Sequence, residues 1–375
     1  MTATCVSLPH IDAALIEAEL RRLRAQHPQG GGLVLLPEEE QQGVATIQQA
    51  FRAAQVPLAG AIFPALIWHN RFTTQGGMLL WWEQAPPFAL LDLSQGDVAQ
   101  QATTITAPLM PHIPETGATL LLIFDAMLPS IAAILDGLYL VLADRVHYTG
   151  VNAGSETFQP TPCLFDDERL IGNGALAMLV PRHHDAVLAH GYRPPETMIA
   201  ATATEGNRIV SIDWRPAFEV YREQVLAQFG VELTTDNFYQ YGVHFPFGIM
   251  LADGEILVRI PVALTEDGAL FCVGEVPPHA ILTLLHAPQA SSLHTAEELA
   301  EGIKGWGAPE KQVLTFYCAG RRMHLGLAGA EQELADLARL TGRTLAGALS
   351  LGEIGSAHQG GYPLFQNATI VCLLP

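Results

Sequence analysis

Hydrophobic positions along this chain fall in short all-apolar runs separated by amphipathic or polar segments, and one order of elements recurs three times. Near the start, the run Leu33–Leu36 predicts a strand, Val44–Ala54 a helix, and Val56–Phe63 a second strand. After a polar loop holding Gly76-Gly77, the run Met78–Trp82 predicts a third. In the middle, Thr119–Phe124 reads as a strand, Ser130–Asp144 as a helix and Val146–Gly154 as a strand entering a glycine turn. Cys163–Phe165 and Ala175–Val180 then flank the polar segment Asp166–Asn173. Towards the end, Val313–Cys318, Glu331–Leu340, Thr344–Ser350 and Ala368–Leu374 repeat strand, helix, strand, strand. The helix places Leu334, Leu337, Ala338 and Leu340 at three- and four-residue spacing on one face.

All-apolar strands alternating with amphipathic helices predict an α/β protein whose sheets are covered on both faces. Between Gly242 and Leu285 the pattern changes: Glu255–Val262 and Ala269–Val276, with Asp253-Gly254 and Asp267-Gly268 as turns, predict antiparallel hairpins. A helix is expected over Pro216–Phe229. A boundary is expected around Pro194-Pro195 to Thr204, dividing the chain into 1–200, with two repeated units, and 201–375, with the hairpins and the third unit.

The chain has 375 residues, 49% of them hydrophobic and only 15% charged, so it can bury a large core and is not disordered. Its most apolar stretch, 117–143, contains Asp125, Pro129 and Asp136, which a membrane span would bury at high cost; a buried strand and helix fit better. The N-terminus lacks the basic start and apolar run of a signal peptide, and five cysteines without close pairs make no disulfide framework. A cytoplasmic protein is expected. The formal charge of −19 argues against nucleic acid or an anionic membrane surface as partner. The few cations are all arginine except Lys304 and Lys311.

In each unit the strand after the helix runs into glycine: Gly60, then Gly150 to Gly154 around Asn152, then Gly347 to Gly355, including Gly352. Such glycines either make turns or expose N–H groups that bind a ligand at strand ends. Arg321 and Glu353 flank neighbouring strands of the third unit, where they could hold a small zwitterion or simply pair with each other. Arg259, among apolar neighbours, is either outward-facing or an inward anion binder. Cys318 ends a strand beside the turn that carries Arg321; its thiol is either activated there or a small buried hydrophobe. His69 and His147 are the histidines placed for haem ligation, although most histidines have ordinary solvent or hydrogen-bonding roles. Metal-ligand pairs, phosphate loops and nucleophile elbows are missing from the sequence.

Several segments carry a resemblance. Ile212-Asp-Trp-Arg-Pro-Ala-Phe-Glu-Val-Tyr221 resembles the Asp-Gly-x-Pro-Ala-x-x-x-Tyr segment joining the two halves of FIST proteins. Phe245–Ile249, Val258–Pro261, Phe316–Arg321, Gly352–Gly355 and Asn367–Thr369 are similar to further FIST motifs. The first unit departs from the family, with Ala61-Ile-Phe-Pro-Ala65 where many members carry a Ser/Thr-Ala-Gly-Glu turn. The resemblance implies a non-enzymatic bacterial sensory protein that binds a small molecule, with Asn367 among its site residues. It further implies a separate histidine kinase or other signalling partner, since the chain leaves no room for an output domain. An alternative implied by some members is a haem protein that senses nitric oxide and regulates a histidine kinase or a cyclic-di-GMP pathway. An enzyme using Cys318 or Glu353 is the remaining alternative.

Overall fold

The computed structural model describes residues 3–374 apart from 116, 182–185, 194–196, 253, 287–292, 308–311 and 357–360. His183-His184, Pro194-Pro195 and Asp253 therefore lie outside the described residues.

The first unit comprises β1 (Thr4–Leu8), α1 (Ala13–Gln26), β2 (Gly31–Pro37), α2 (Val44–Ala54) and β3 (Leu58–Phe63). A hairpin, β4 (Leu66–Trp68) and β5 (Arg71–Thr73), and a closing strand, β6 (Gly77–Trp82), complete it. The second unit repeats this with β7 (Phe88–Asp92), α3 (Val98–Thr106), β8 (Ala118–Asp125), α4 (Ile131–Leu142) and β9 (Val146–Ala153). Its hairpin is β10 (Leu164–Asp166) and β11 (Leu170–Ile171), and its closing strand β12 (Gly174–Pro181). The third begins at β13 (Val187–Ala189) and is then interrupted by an antiparallel insert. The insert contains β14 (Ile199–Glu205), β15 (Arg208–Ile212), β16 (Arg215–Pro216), α5 (Ala217–Phe229) and α6 (Phe238–Tyr241). It continues through β17 (Phe247–Met250), β18 (Ile256–Arg259), β19 (Pro261–Leu264), β20 (Leu270–Cys272) and β21 (Ile281–Leu284). The unit resumes with α7 (His294–Ile303), β22 (Val313–Cys318), α8 (Ala319–Thr341) and β23 (Leu345–Ser350). It ends with the hairpin β24 (Glu353–Gly355) and β25 (Leu364–Gln366) and the closing strand β26 (Ile370–Leu373).

Each unit builds one six-stranded sheet around a parallel pair, β2·β3, β8·β9 or β22·β23, with its own closing strand antiparallel to the first member. The strand beyond the second member comes from another unit. β10 of the second unit joins the first sheet beside β3, β24 of the third joins the second beside β9, and β4 of the first joins the third beside β23. The three units thus exchange hairpins in a cycle, and sheets on either side of residue 200 share strands. The insert forms a separate antiparallel sheet in the order β18-β17-β21-β14-β15-β20-β19, with β16 on β15.

Alternation along the strands sorts the core. Leu121, Ile123, Leu314, Phe316, Leu35 and Phe63 share one interior cluster in which the three sheets face one another. The intervening Leu120, Leu122 and Phe124 pack on α3 and α4, while Val313, Tyr317 and Leu345 pack on α7 and α8. Helices therefore cover the outer faces of these sheets, and sheets cover the inner ones. The apolar stretch at 117–143 is the buried strand β8 followed by α4, and no helix among the described residues is long and apolar enough to cross a membrane. Two expected elements differ. Glu255–Val262 divides at Ile260-Pro261 into β18 and β19, because proline removes a ladder donor there. The helix expected from Glu331 begins at Ala319 and is broken at Gly326, whose φ of 68° interrupts it.

Candidate functional site

Two adjoining cavities open at the carboxyl ends of the parallel strands, where α/β sheets place ligands. One, of about 230 Å³, lies over the end of β22 and the start of α8, with Cys318, Gly320, Leu351 and Asn367 in its wall. The other, of about 510 Å³, lies at the equivalent place in the second unit, lined by residues 126–131 and by Asn152. Phe158, Val262 and Val273 belong to both, so the insert roofs the two together.

The equivalence extends to single atoms. Asp125 and Cys318 end the first parallel strands at matching positions, three residues beyond the partners of Gly150 and Gly347. Asp125 Oδ2 accepts the Asn173 N–H at 2.6 Å, and Cys318 Sγ accepts the Ala368 N–H at 3.1 Å. Asn173 and Ala368 both hold positive φ, 47° and 55°. The helix starts that follow are already occupied. Glu275 of the insert faces the first N–H groups of α4, accepting from Ala132 at 3.3 Å and Ala133 at 3.4 Å. The N–H groups of Gly320 and Arg321 point at Cys318 Sγ.

The cavity walls hold unmet acceptors. Asn152 and Asn367, each 1% exposed, have side-chain oxygens without a partner among the described residues, as does Gln366 beside Asn367. The Asn367 Nδ2 donates to the Gln366 carbonyl, so the unmet group of this side chain is the acceptor Oδ1. A buried unsatisfied carbonyl costs about 1–3 kcal/mol, so a ligand or water that supplied a donor there would be stabilising. Behind Cys318 lies Glu353, fully buried, with Oε1 bonded by Ser350 Oγ at 2.6 Å and Oε2 by Thr369 Oγ1 at 2.6 Å. Burial pushes Glu353 up to about 7 despite the lowering effect of those donors and the Cys318 thiol. No ion pair to it forms among the described residues.

The arginines expected at the site are fixed elsewhere. Arg321 does not pair with Glu353. It makes a two-pronged bond to Glu333, 2.7 Å from Nε and 2.6 Å from Nη2, and also reaches Thr295 and the carbonyls of His190 and Ala368. Burial alone would lower its pKa, and Glu333 more than reverses that. Arg259 points inward, where its Nε and Nη1 donors meet the carbonyls of Glu275, Val258 and Phe365, and burial pulls it down to about 10. Burial and the neighbouring Glu353 push the pKa of the Cys318 thiol up, which favours the small buried hydrophobe over the activated thiol of the two readings.

Nor do the glycine turns form an anion nest. A Cβ on Gly150 would sit 2.1 Å from the Leu122 carbonyl oxygen, and one on Gly352 2.5 Å from the Phe365 ring, so both serve close packing. The Asn152 N–H bonds the Gly352 carbonyl and the Gly154 N–H bonds that of Ile62, which locks the exchanged strands together. Of the haem candidates, His69 is exposed in the β4–β5 turn with φ of 48°, and His147 sits at the start of β9, the end remote from Asn152. Neither lines either of these two cavities, so the site over β9 and β22 has no haem ligand from the two expected histidines. Sequence reasoning missed Phe158, Val262, Val273 and Glu275. Only the neighbouring Val258–Pro261 motif hinted that the insert takes part.

A model of the FIST N domain matches residues 32–215, and one of the FIST C domain matches 217–356. The chain belongs to the FIST family. FIST domains are regarded as small-ligand sensory domains of signal transduction. The two FIST matches end and begin on either side of Pro216, the residue that caps α5. No curated protein matches the chain significantly.

Proposed function

We propose that this FIST protein is a non-enzymatic sensor that binds a small molecule beneath the insert and reports it to a separate signalling protein such as a histidine kinase. The observation carrying this reading is the pair of cavities with Asn152 and Asn367 in their walls, two buried side chains whose amide oxygens have no partner among the described residues. Cys318 forms cavity wall, Glu353 sets the charge behind it, and Gly150, Gly154 and Gly352 hold the exchanged strands that position both asparagines. Arg259 and Arg321 anchor the insert and α8 to that frame. Binding changes packing between the insert and the three-unit body, which is the signal a partner would read.

A thermal-shift screen with amino acids, amines, carboxylates and other small metabolites tests the reading. A ligand at a hundredfold excess over its Kd stabilises by about 2.7 kcal/mol, and at least one class is expected to raise the melting temperature. Val262→Trp, which fills the wall common to both cavities, is expected to abolish the response while leaving the fold intact. No response to any class, or an undiminished one in that variant, rejects the site.

A further inference from the structure

The chemistry of the smaller cavity narrows its ligand, given the small-ligand reading above. Asn367 belongs to its wall, and the buried Oδ1 of that side chain is an acceptor with no hydrogen-bond partner among the described residues. The donors that usually hold anions are taken: the first N–H groups of α8 face Cys318 Sγ, and Arg321 is held by Glu333. Arg322, the partner of the wall residue Glu156 at 2.5 Å, lies 5.4 Å over the Phe72 ring. Glu353, one layer behind Cys318, is a buried carboxyl group with hydroxyl donors but no ion pair among the described residues. The wall also holds the Glu156 carboxylate; the remainder is mostly apolar, with Ile260, Val262, Val273 and Leu351, and the aromatic residues Phe158 and Tyr239 belong to it. A cation in low dielectric beside a buried carboxylate is favoured, and a carboxylate is repelled.

We infer that the cavity over Cys318 takes a small organic ammonium ion with a short apolar body, its N–H donors directed at Asn367 Oδ1 and its charge opposite Glu353. A free carboxylate on the ligand has no donor to meet it, so the site selects amines over amino acids and over acids. The protein's formal charge of −19 raises the local concentration of such cations.

Four probes sharing one hydrocarbon test this: 3-methylbutylamine, 3-methylbutanol, 3-methylbutanoate and leucine, titrated by calorimetry at pH 8, where Glu353 is ionised. The amine is expected to bind at least about tenfold more tightly than the alcohol, with the acid and leucine weaker still. Asn367→Leu should weaken the amine by about tenfold or more. Should that variant fail to fold, Glu353→Gln serves: it keeps the side chain's size and one oxygen to accept a hydroxyl, and it should weaken the amine while leaving the alcohol unchanged. Tighter binding of leucine or the acid overturns the amine assignment yet leaves the protein a small-ligand sensor. Equal losses for amine and alcohol in Glu353→Gln also overturn it. So does silence from all four probes, in which case the wider screen decides the sensory reading on its own.

Discussion

Trp214 shows what a single residue can be made to tolerate. It occupies the second position of the two-residue turn between β15 and β16, with φ of 60° after Asp213 at 49°, and 86% of it is exposed. Glycine or asparagine suits such a turn, because a Cβ there crowds the following carbonyl. The FIST segment that this stretch resembles has glycine at that place. Trp214→Gly should therefore raise the urea midpoint, by a stabilisation of about 1 kcal/mol; a lower midpoint rejects the strain argument. Glu333 is the opposite case. It is the sole carboxylate paired with Arg321 among the described residues and also accepts the Tyr317 hydroxyl at 2.7 Å. Glu333→Ala should cost about 3–5 kcal/mol, since it strands a buried guanidinium; a cost below 1 kcal/mol in denaturant melts would mean that carbonyls alone suffice. The sequence offered Arg321 and Glu353 as neighbours by motif, yet nothing local in it shows which carboxylate a guanidinium meets one helical turn or several away.

Among elements, the parallel pairs repay attention because their glycines were legible and their purpose was not. Gly60, Gly150 and Gly347 face Val34, Leu122 and Thr315 at the same place in the three pairs. A Cβ on Gly347 would lie 1.9 Å from the Thr315 carbonyl oxygen, and one on Gly60 2.1 Å from the Phe165 ring. The recurrence visible in the sequence thus reflects strands drawn close together, not three ligand loops. Gly347→Ala should destabilise by about 3 kcal/mol or more through backbone displacement; a thermal melt within a degree of the parent protein would refute the contact. Helices and buried strands were readable because their periodicity is local. The short hairpins β4–β5 and β24–β25 were not, because three-residue strands carry almost no periodicity of their own.

At the scale of the whole molecule, the insert is coupled to the third unit through histidines as well as through the cavities. His324 of α8 bonds the Tyr192 hydroxyl at 2.7 Å and reaches the Val243 carbonyl, and its ring lies 5.5 Å from that of His244. Burial pulls His324 down to about 3 and His190 down to about 4. Groups depressed in this way contribute stability above pH 6.5 that is lost as pH falls towards their folded values. Glu353, raised to about 7, acts in the other sense: its contribution is present below about 4.5 and lost as pH rises through 7. With two histidines shifted at least as far as the one carboxyl group, acidification from pH 7 to 4.5 should weaken the fold. His324→Gln, which keeps a donor and an acceptor without the charge, should recover about 2 kcal/mol of that loss. Denaturant melts of both proteins at the two pH values decide it, and equal losses would exclude His324 as the sensitive group.

The sequence by itself determined the triplicated order of elements, the burial of the membrane-like stretch, the antiparallel insert and the family, since each is written in hydrophobic spacing or in contiguous motifs. The cyclic exchange of hairpins, the partner of each buried charge and the cavities roofed by Val262 and Val273 were decided only by the tertiary structure. Those features join positions that are remote along the chain, as with Ala348 on Leu66 or Glu353 on Val151. A strand's own pattern says which face is buried, but not which strand, of several equally apolar ones, will lie against its edge.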